Sequence, residues 1–305
     1  SDDNGLSSTD EITNDQTLFI SGTAEANSSV EVFIGGVSIG TTTANGSGNW
    51  TYDYTGTTLA ENIYSITAEA QDAAGNTSST SSALSIKIDV TDPNAPVVAS
   101  ISTDSGSSST DELTNDQELE FSGTAEAGSQ VEVFIGGVSI GTTMANGSGN
   151  WTYDHTGTTL AGGNYSITAE ATDTAGNTSN TSSALSIEID VTAPNAPVLS
   201  GISTDSGSSS SDEITSDQTL EFIGTAEANS TVEVFIGGVS IGTTTANGSG
   251  NWTFDHSGTT LSEGTYSITA EATDGAGNTS STSSSMSVVV DITAPNAPVV
   301  ASISD

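Results

Sequence analysis

Across 305 residues the chain carries 39 acidic side chains, one basic residue (Lys87), two histidines and no cysteine, for a formal charge of −38. A field of that sign repels nucleic acid and anionic membrane, and it opposes compaction unless cations neutralise it. Disulfide staples are excluded, no run of about 18 apolar residues is available for a membrane helix, and the opening at Ser1 does not read as a signal peptide, so an internal fragment is expected.

Apolar residues make up 33% and charged residues 13%, both below the globular average, and Ser, Thr, Gly, Ala and Asn fill the difference. That composition would suit disorder if the apolar residues were not patterned. They are patterned, and the pattern recurs. Trp50, Trp151 and Trp252 stand 101 residues apart (151 − 50 and 252 − 151), and Val-Glu-Val-Phe-Ile-Gly-Gly-Val-Ser-Ile-Gly-Thr-Thr is identical at 30–42, 131–143 and 232–244. A step of 101 residues is too long for a solenoid unit and has the size of a self-contained domain. The predicted boundaries are 1–93 (first strand missing), 94–194 and 195–295, with 296–305 as the first strand of a following repeat.

In the middle repeat the predicted elements run in order. Strand A covers Ala95–Ser102. Strand B covers Gln117–Glu126, where Leu119 and Phe121 alternate with Glu118 and Glu120. Strands C and C′ lie within 130–145, where Val131, Val133 and Ile135 alternate with Glu132 and Phe134, and the turn is Gly136-Gly137. Strand E spans Gly149–His155, F spans Asn164–Thr172 and G spans Ser182–Val191, each with one face apolar and one polar. Trp151 and Tyr153 are expected in the core, and Leu160-Ala-Gly-Gly-Asn-Tyr165 sets a tyrosine at the start of F after a tight bend, as in a tyrosine corner. Helical spacing is nearly absent. Seven short strands per repeat, turning every ~8–12 residues, predict an all-β chain of three antiparallel β-sandwiches in an elongated rod.

Four motifs carry a family resemblance: Asp173-Thr-Ala-Gly-Asn177, Ile189-Asp-Val-Thr-Ala-Pro194, the turn Gly149-Asn-Trp151, and the Leu-x-x-Gly-x-Tyr corner. Together they resemble the bacterial Ig-like repeats of giant surface adhesins and biofilm-associated proteins. The resemblance covers all three repeats. It implies Ig-like domains in a long extracellular stalk at the bacterial cell surface, often stiffened by calcium between domains and carrying a separate adhesive tip. The first repeat departs from the pattern with Gln71-Asp-Ala-Ala-Gly-Asn76 and Leu59-Ala-Glu-Asn-Ile-Tyr64, so its corner lacks the glycine.

Strand direction places the acids. The A–B loop and the end of G share one face of a sandwich, and the F–G and B–C loops of the next repeat face them. For the first joint this gathers Asp3, Asp10, Glu11, Asp15, Asp89 and Asp92 with Glu126, Asp173 and Asn177. For the second it gathers Asp104, Asp111, Glu112, Asp116 and Asp190 with Glu227, Asp274 and Asn278. The third repeat supplies Asp205, Asp212, Asp217 and Asp291 in equivalent places. Carboxylates gathered without Lys or Arg partners favour a counter-ion, and Ca²⁺ accepts about six to eight oxygens in a forgiving geometry. His and Cys sets for zinc or copper are missing, as is an EF-hand loop. The competing account has the same residues capping turns by bonding local backbone N–H groups and keeping the surface soluble.

An enzyme is not expected. His155 and His256 stand where the first repeat has Tyr54, and the serines lack a base and a glycine-rich elbow. Two further readings stay open. Phe33, Phe134 and Phe235, opposite the valines and beside Gly-Gly, offer a repeated contact for carbohydrate or protein, unless they are edge-strand residues covered by a loop. The tail 297–304 pairing into the first repeat of another chain would build a head-to-tail donor-strand filament. The expected partners are the neighbouring repeats and other copies, with no nucleic acid and no membrane insertion.

Overall fold

The computed structural model describes residues 5–301, and no helix occurs among them. The strands of the first repeat are β1 (Ile12–Thr13), β2 (Phe19–Thr23), β3 (Ser29–Ile34), β4 (Val37–Thr43), β5 (Asn49–Asp53), β6 (Asn62–Gln71) and β7 (Leu84–Ile88). The middle repeat holds β8 (Val97–Ile101), β9 (Leu113–Thr114), β10 (Glu120–Thr124), β11 (Gln130–Ile135), β12 (Val138–Met144), β13 (Asn150–Asp154), β14 (Gly163–Thr172) and β15 (Leu185–Ile189). The third holds β16 (Val198–Ile202), β17 (Ile214–Thr215), β18 (Glu221–Thr225), β19 (Thr231–Ile236), β20 (Val239–Thr245), β21 (Asn251–Asp255), β22 (Gly264–Thr273) and β23 (Met286–Val290).

Contacts divide the chain into two compact units, residues 1–102 with 119–155 and 165–186, and residues 103–118 with 156–164 and 187–305. In the first unit, one sheet runs β1-β7-β6-β3-β4 and the facing sheet is the pair β2-β5. The same unit repeats this plan with β10 between β8 and β13, and β11 between β12 and β14. In the second unit, β17-β23-β22-β19-β20 faces β16-β18-β21, and β9 lies parallel to the end of β15.

Alternation explains the cores. Val30 and Val32 are 1% and 0% exposed, while Glu31 and Phe33 between and beside them turn the other way. Leu18, Ile20, Trp50, Ile66 and Ile88 complete that interior, and Leu220, Phe222, Trp252, Ile268 and Val290 do the same in the third repeat. Each indole lies flat on a strand because a glycine faces it: a Cβ on Gly123 would fall 2.7 Å from Cζ2 of Trp151, and one on Gly22 would fall 2.6 Å from Cζ2 of Trp50. The tyrosine corner forms as expected, with Tyr266 Oη donating to Ser262 O at 2.9 Å. It also forms in the first repeat, where Tyr64 Oη donates to Ala60 O at 2.9 Å, so the missing glycine does not alter the bend.

Three expectations need correction. Each sandwich has an extra two-residue strand in the A–B loop (β1, β9, β17), bonded in parallel to the end of β7, β15 or β23. Strand B is shorter than expected. Gln117 leaves the ladder because its side chain donates to Leu160 O at 2.6 Å and its carbonyl accepts from Leu160 N, pinning the chain outside the sheet. Phe134 is not on an edge strand, since β11 is flanked by β12 and β14.

Candidate functional site at the repeat junctions

The residues between repeats are loops, and the strands that bracket them fix where they meet. At the first junction the loop after β14 rests on the loop before β1 and on the end of β7. Leu6 N donates to Thr174 O at 3.2 Å, Asn14 N donates to Ala175 O at 3.1 Å, and Asn177 Nδ2 donates to Asp89 O at 3.0 Å. The second junction repeats the arrangement. Ser105 Oγ donates to Ala276 O at 2.9 Å, Ser107 N donates to Gly275 O at 3.1 Å, and Asn278 Nδ2 donates to Asp190 O at 2.8 Å. Approach is close enough to demand glycine: a Cβ on Gly106, whose φ is +104°, would sit 2.0 Å from Gly275 O.

The seated loop carries its own clasp. Asp173 Oδ1 accepts from Asn177 N at 2.9 Å and Oδ2 from Asn177 Nδ2 at 2.8 Å, and Asp274 and Asn278 do the same at 2.8 and 2.9 Å. In the first repeat Asp72 and Asn76 form this clasp at 2.7 Å, with Asp72 half-buried and Asn76 exposed. The Asn76 hydrogen bonds hold the Asp72 carboxyl below the ordinary range. The clasp thus forms in a copy of the loop that is not buried as well as in the two that are. Docking then buries it, leaving Asp173 4%, Ala175 0% and Asn177 7% exposed.

Most of the other candidate acids act on their own turns. Asp10, Asp111 and Asp212 each accept the N–H two residues on, as do Asp15, Asp116 and Asp217. Asp89, Asp190 and Asp291 accept from the amides of Thr91, Thr192 and Thr293 at the exit of the last strand. Asp92, Glu126 and Glu227 are exposed, and Asp3 lies outside the described residues. Among the described residues, no three His, Cys, Asp or Glu side chains gather at one point. The structure thus brings the predicted loops together while their carboxylates remain dispersed.

One acid stands apart in each A–B loop. Asp104 Oδ2 accepts from Asp111 N and Glu112 N at 3.0 and 3.1 Å, and Asp205 Oδ2 accepts from Asp212 N and Glu213 N at 3.0 Å each. The second oxygen, Oδ1 of both Asp104 and Asp205, is buried and has no hydrogen-bond partner. Glu112 and Glu213 adopt the left-handed region with φ 56° and 55°, as does Glu11 at 60°. That conformation costs a non-glycine residue roughly 1–2 kcal/mol, so the surrounding loop has to over-determine it. An unsatisfied, desolvated carboxylate oxygen suits a hard cation, and no basic side chain lies in either loop to fill that role.

Lys87, the lone basic residue, sits at the first junction and pairs with Asp89 at 2.7 Å. The hydrogen bond to Asp89 raises the Lys87 ammonium, helped by the nearby charges of Asp173 and Glu126, and Lys87 in turn lowers the Asp89 carboxyl. Sequence reasoning missed Ser105, Gly106 and Ser107 as junction residues. The signal was present in Asp104-Ser-Gly106 and Asp205-Ser-Gly207, which repeat at the entrance of two A–B loops.

The bacterial Ig-like domain family matches residues 1–90, 92–191 and 193–292. Exoglucanase B of Cellulomonas fimi is 30% identical over 271 residues, an overlap of 85% of this chain and 22% of that protein. The chain therefore spans under a quarter of this relative. A structure from a 1.5-MDa bacterial ice-binding adhesin is similar at 22% identity, covering 90% of each chain with a TM-score of 0.37. A tetra-tandem repeat from the extending region of a large adhesion protein is similar at 23% identity, covering 92% of this chain and 73% of that one with a TM-score of 0.29.

Proposed function

Since the chain belongs to the bacterial Ig-like domain family, three copies in tandem, we propose that it is a non-catalytic extender: a stalk segment of an extracellular bacterial adhesin or surface fibre. The observation that carries this reading is the duplicated junction. Asn177 and Asn278 reach the carbonyls of Asp89 and Asp190 across the same sequence interval of 88 residues, at 3.0 and 2.8 Å. A spacer needs a joint that is repeated without change, so that each added repeat extends the stalk by one fixed step. The proposed repeats are 1–93, 94–194 and 195–295. A glycine-tight, backbone-bonded seat restricts pivoting more than the linker with two prolines at 192–197 does alone.

Calcium belongs to this proposal. Asp104 and Asp205 would be its carboxylate ligands, one in each A–B loop, with Asp3 as the equivalent by sequence. The buried Oδ1 of the two described residues supports the assignment. Because the other acids are dispersed, main-chain and amide oxygens would supply the remaining ligands. A bound ion would satisfy the desolvated oxygen and fix the loop against which the next repeat sits. Removing calcium with a chelator should lower the melting temperature and broaden the small-angle scattering profile toward a flexible chain. Asp104→Asn with Asp205→Asn should abolish both effects. Coincident profiles with and without chelator would sink the calcium assignment and leave the extender reading standing on the junction bonds.

A further inference from the structure

The turn between β4 and β5 recurs in each repeat, and its corner is always Asn-Gly: Asn45-Gly46, Asn146-Gly147 and Asn247-Gly248. Asn45 Oδ1 accepts from Ser47 N at 2.9 Å and from Asn49 N at 3.1 Å. The main chain closes round it, with Asn45 N donating to Asn49 O and Gly48 N to Asn45 O at 2.8 Å each. Asn146 and Asn247 hold their two side-chain bonds at the same distances. In all three copies the Asn, Gly and Ser of the turn are exposed to water.

The fold does not require the glycine that follows the asparagine. Gly46, Gly147 and Gly248 lie outside the left-handed region, and a Cβ on each would meet nothing within 4 Å. The F–G loop builds the same turn on an aspartate. Asp72 Oδ1 accepts from Ala74 N and Asn76 N at 2.8 Å each, Asp72 N donates to Asn76 O at 3.0 Å, and Gly75 N donates to Asp72 O at 3.1 Å. Gly75 and Gly48 take the matching φ of 89° and 81°. After the aspartate the three F–G loops place Ala73, Thr174 or Gly275. The turn therefore tolerates a side chain after its corner, and a carboxylate at the corner makes the bonds that the carboxamide makes.

What glycine does leave open is its own nitrogen. We propose that Asn45, Asn146 and Asn247 are self-modifying sites, where the side-chain amide is exchanged for a carboxylate through a cyclic imide. Hydroxide takes the Gly46 N–H proton, and the nitrogen adds to Cγ of Asn45. The Cγ–Nδ2 bond breaks, and Nδ2 leaves as ammonia with a proton returned by water. A water molecule then opens the imide, breaking one of its two bonds to the Gly46 nitrogen and restoring the N–H. One water is consumed and one ammonia released, with no change of oxidation state. Charge that develops on Oδ1 during the addition meets donors already in place, Ser47 N at 2.9 Å and Asn49 N at 3.1 Å, the spacing of an oxyanion hole. Opening at Cγ yields aspartate, and Asp72 shows the turn that product forms. Each conversion adds a negative charge at an exposed corner. The reaction needs no partner and stands apart from the extender role.

Peptide mapping by mass spectrometry of the 305-residue chain, aged in mildly alkaline buffer, reads the exchange at each asparagine. Acid should appear at Asn45, Asn146 and Asn247 at least as fast as in a free peptide of residues 43–51, where nothing holds the donors on Oδ1, and faster as pH rises. Asn49, Asn76 and Asn177, followed by Trp50, Thr77 and Thr178, should remain amides over the same period. Gly46→Ala with Gly147→Ala and Gly248→Ala should keep the melting temperature and slow all three conversions by more than about tenfold, because the methyl crowds the attacking nitrogen. Asn45→Asp with Asn146→Asp and Asn247→Asp, which installs the product directly, should melt no lower than wild type. Conversion in the peptide but not in the folded chain would show that the turn protects the amide, and would overturn the proposal. So would loss spread evenly over all asparagines, an alanine variant that converts at the wild-type rate, or an aspartate variant that melts lower.

Discussion

Asn177→Ala isolates what docking contributes, because the same loop occurs once unburied. In the middle repeat Asn177 Nδ2 donates to Asp173 Oδ2 at 2.8 Å and to Asp89 O at 3.0 Å. A hydrogen bond to a buried charge is worth about 1.5–3 kcal/mol and a neutral one about 1 kcal/mol, so truncation should cost about 2.5–4 kcal/mol. Water cannot repair the loss, since Asp173 is 4% exposed. Asn76→Ala removes the equivalent 2.7 Å bond to Asp72, but there Asn76 is exposed and Asp72 only half-buried, so solvent replaces the donor. Scanning calorimetry of the two variants separates the cases. At about 4–8 °C per kcal/mol for a domain of this size, Asn177→Ala should lower one transition by about 10–30 °C, and Asn76→Ala by far less. Equal shifts would show that the clasp matters only within its own loop and that the junction adds nothing.

Two further outcomes follow from the geometry. Gly123→Ala should cost about 1–3 kcal/mol more than Gly22→Ala in urea unfolding, because only the former drives a methyl into the Val97 carbonyl of strand A. The Lys87–Asp89 pair gives a signed pH dependence. Asp89 is held below its ordinary range by Lys87, so its contribution is present above the usual carboxylate value near pH ~4 and is lost as pH falls through the lowered one. With Lys87 half exposed the size is at most about 1 kcal/mol, and Lys87→Gln should remove that part of the acid sensitivity between about pH 5 and pH 2 in a melting series.

How much of this was legible in the sequence depends on the length of the signal. Strands C, F and G announce themselves because residues such as Val131, Val133, Ile167 and Ile187 alternate over five or more positions against one buried face. The extra strand β9 is two residues long, Leu113 and Thr114, and two residues have no period to read. The junction was legible in outline, since strand direction alone brings the A–B loop, the end of G and the next F–G loop to one place. What composition hid is how short side chains behave there. Asp and Asn at loop ends bond the nearest N–H first, so Asp111, Asp116 and Asp190 bond their own turns. The amide of Asn177 and the backbone around Gly106, both uncharged, carry the contact between repeats. Charge counting finds acids, but not the direction in which each one points.

The account stands on a junction whose loop-to-loop seat and Asn-to-carbonyl bond recur at both sites, and paired labels measure it directly. Ser47, Ser148 and Ser249 occupy the same exposed turn of successive repeats, and no native cysteine competes for the label. Spin labels on Ser47→Cys with Ser148→Cys, and separately on Ser148→Cys with Ser249→Cys, should give two narrow distance distributions that superimpose in calcium and broaden together in chelator. Two broad distributions in calcium, or two narrow ones centred at different distances, would contradict the fixed-step extender.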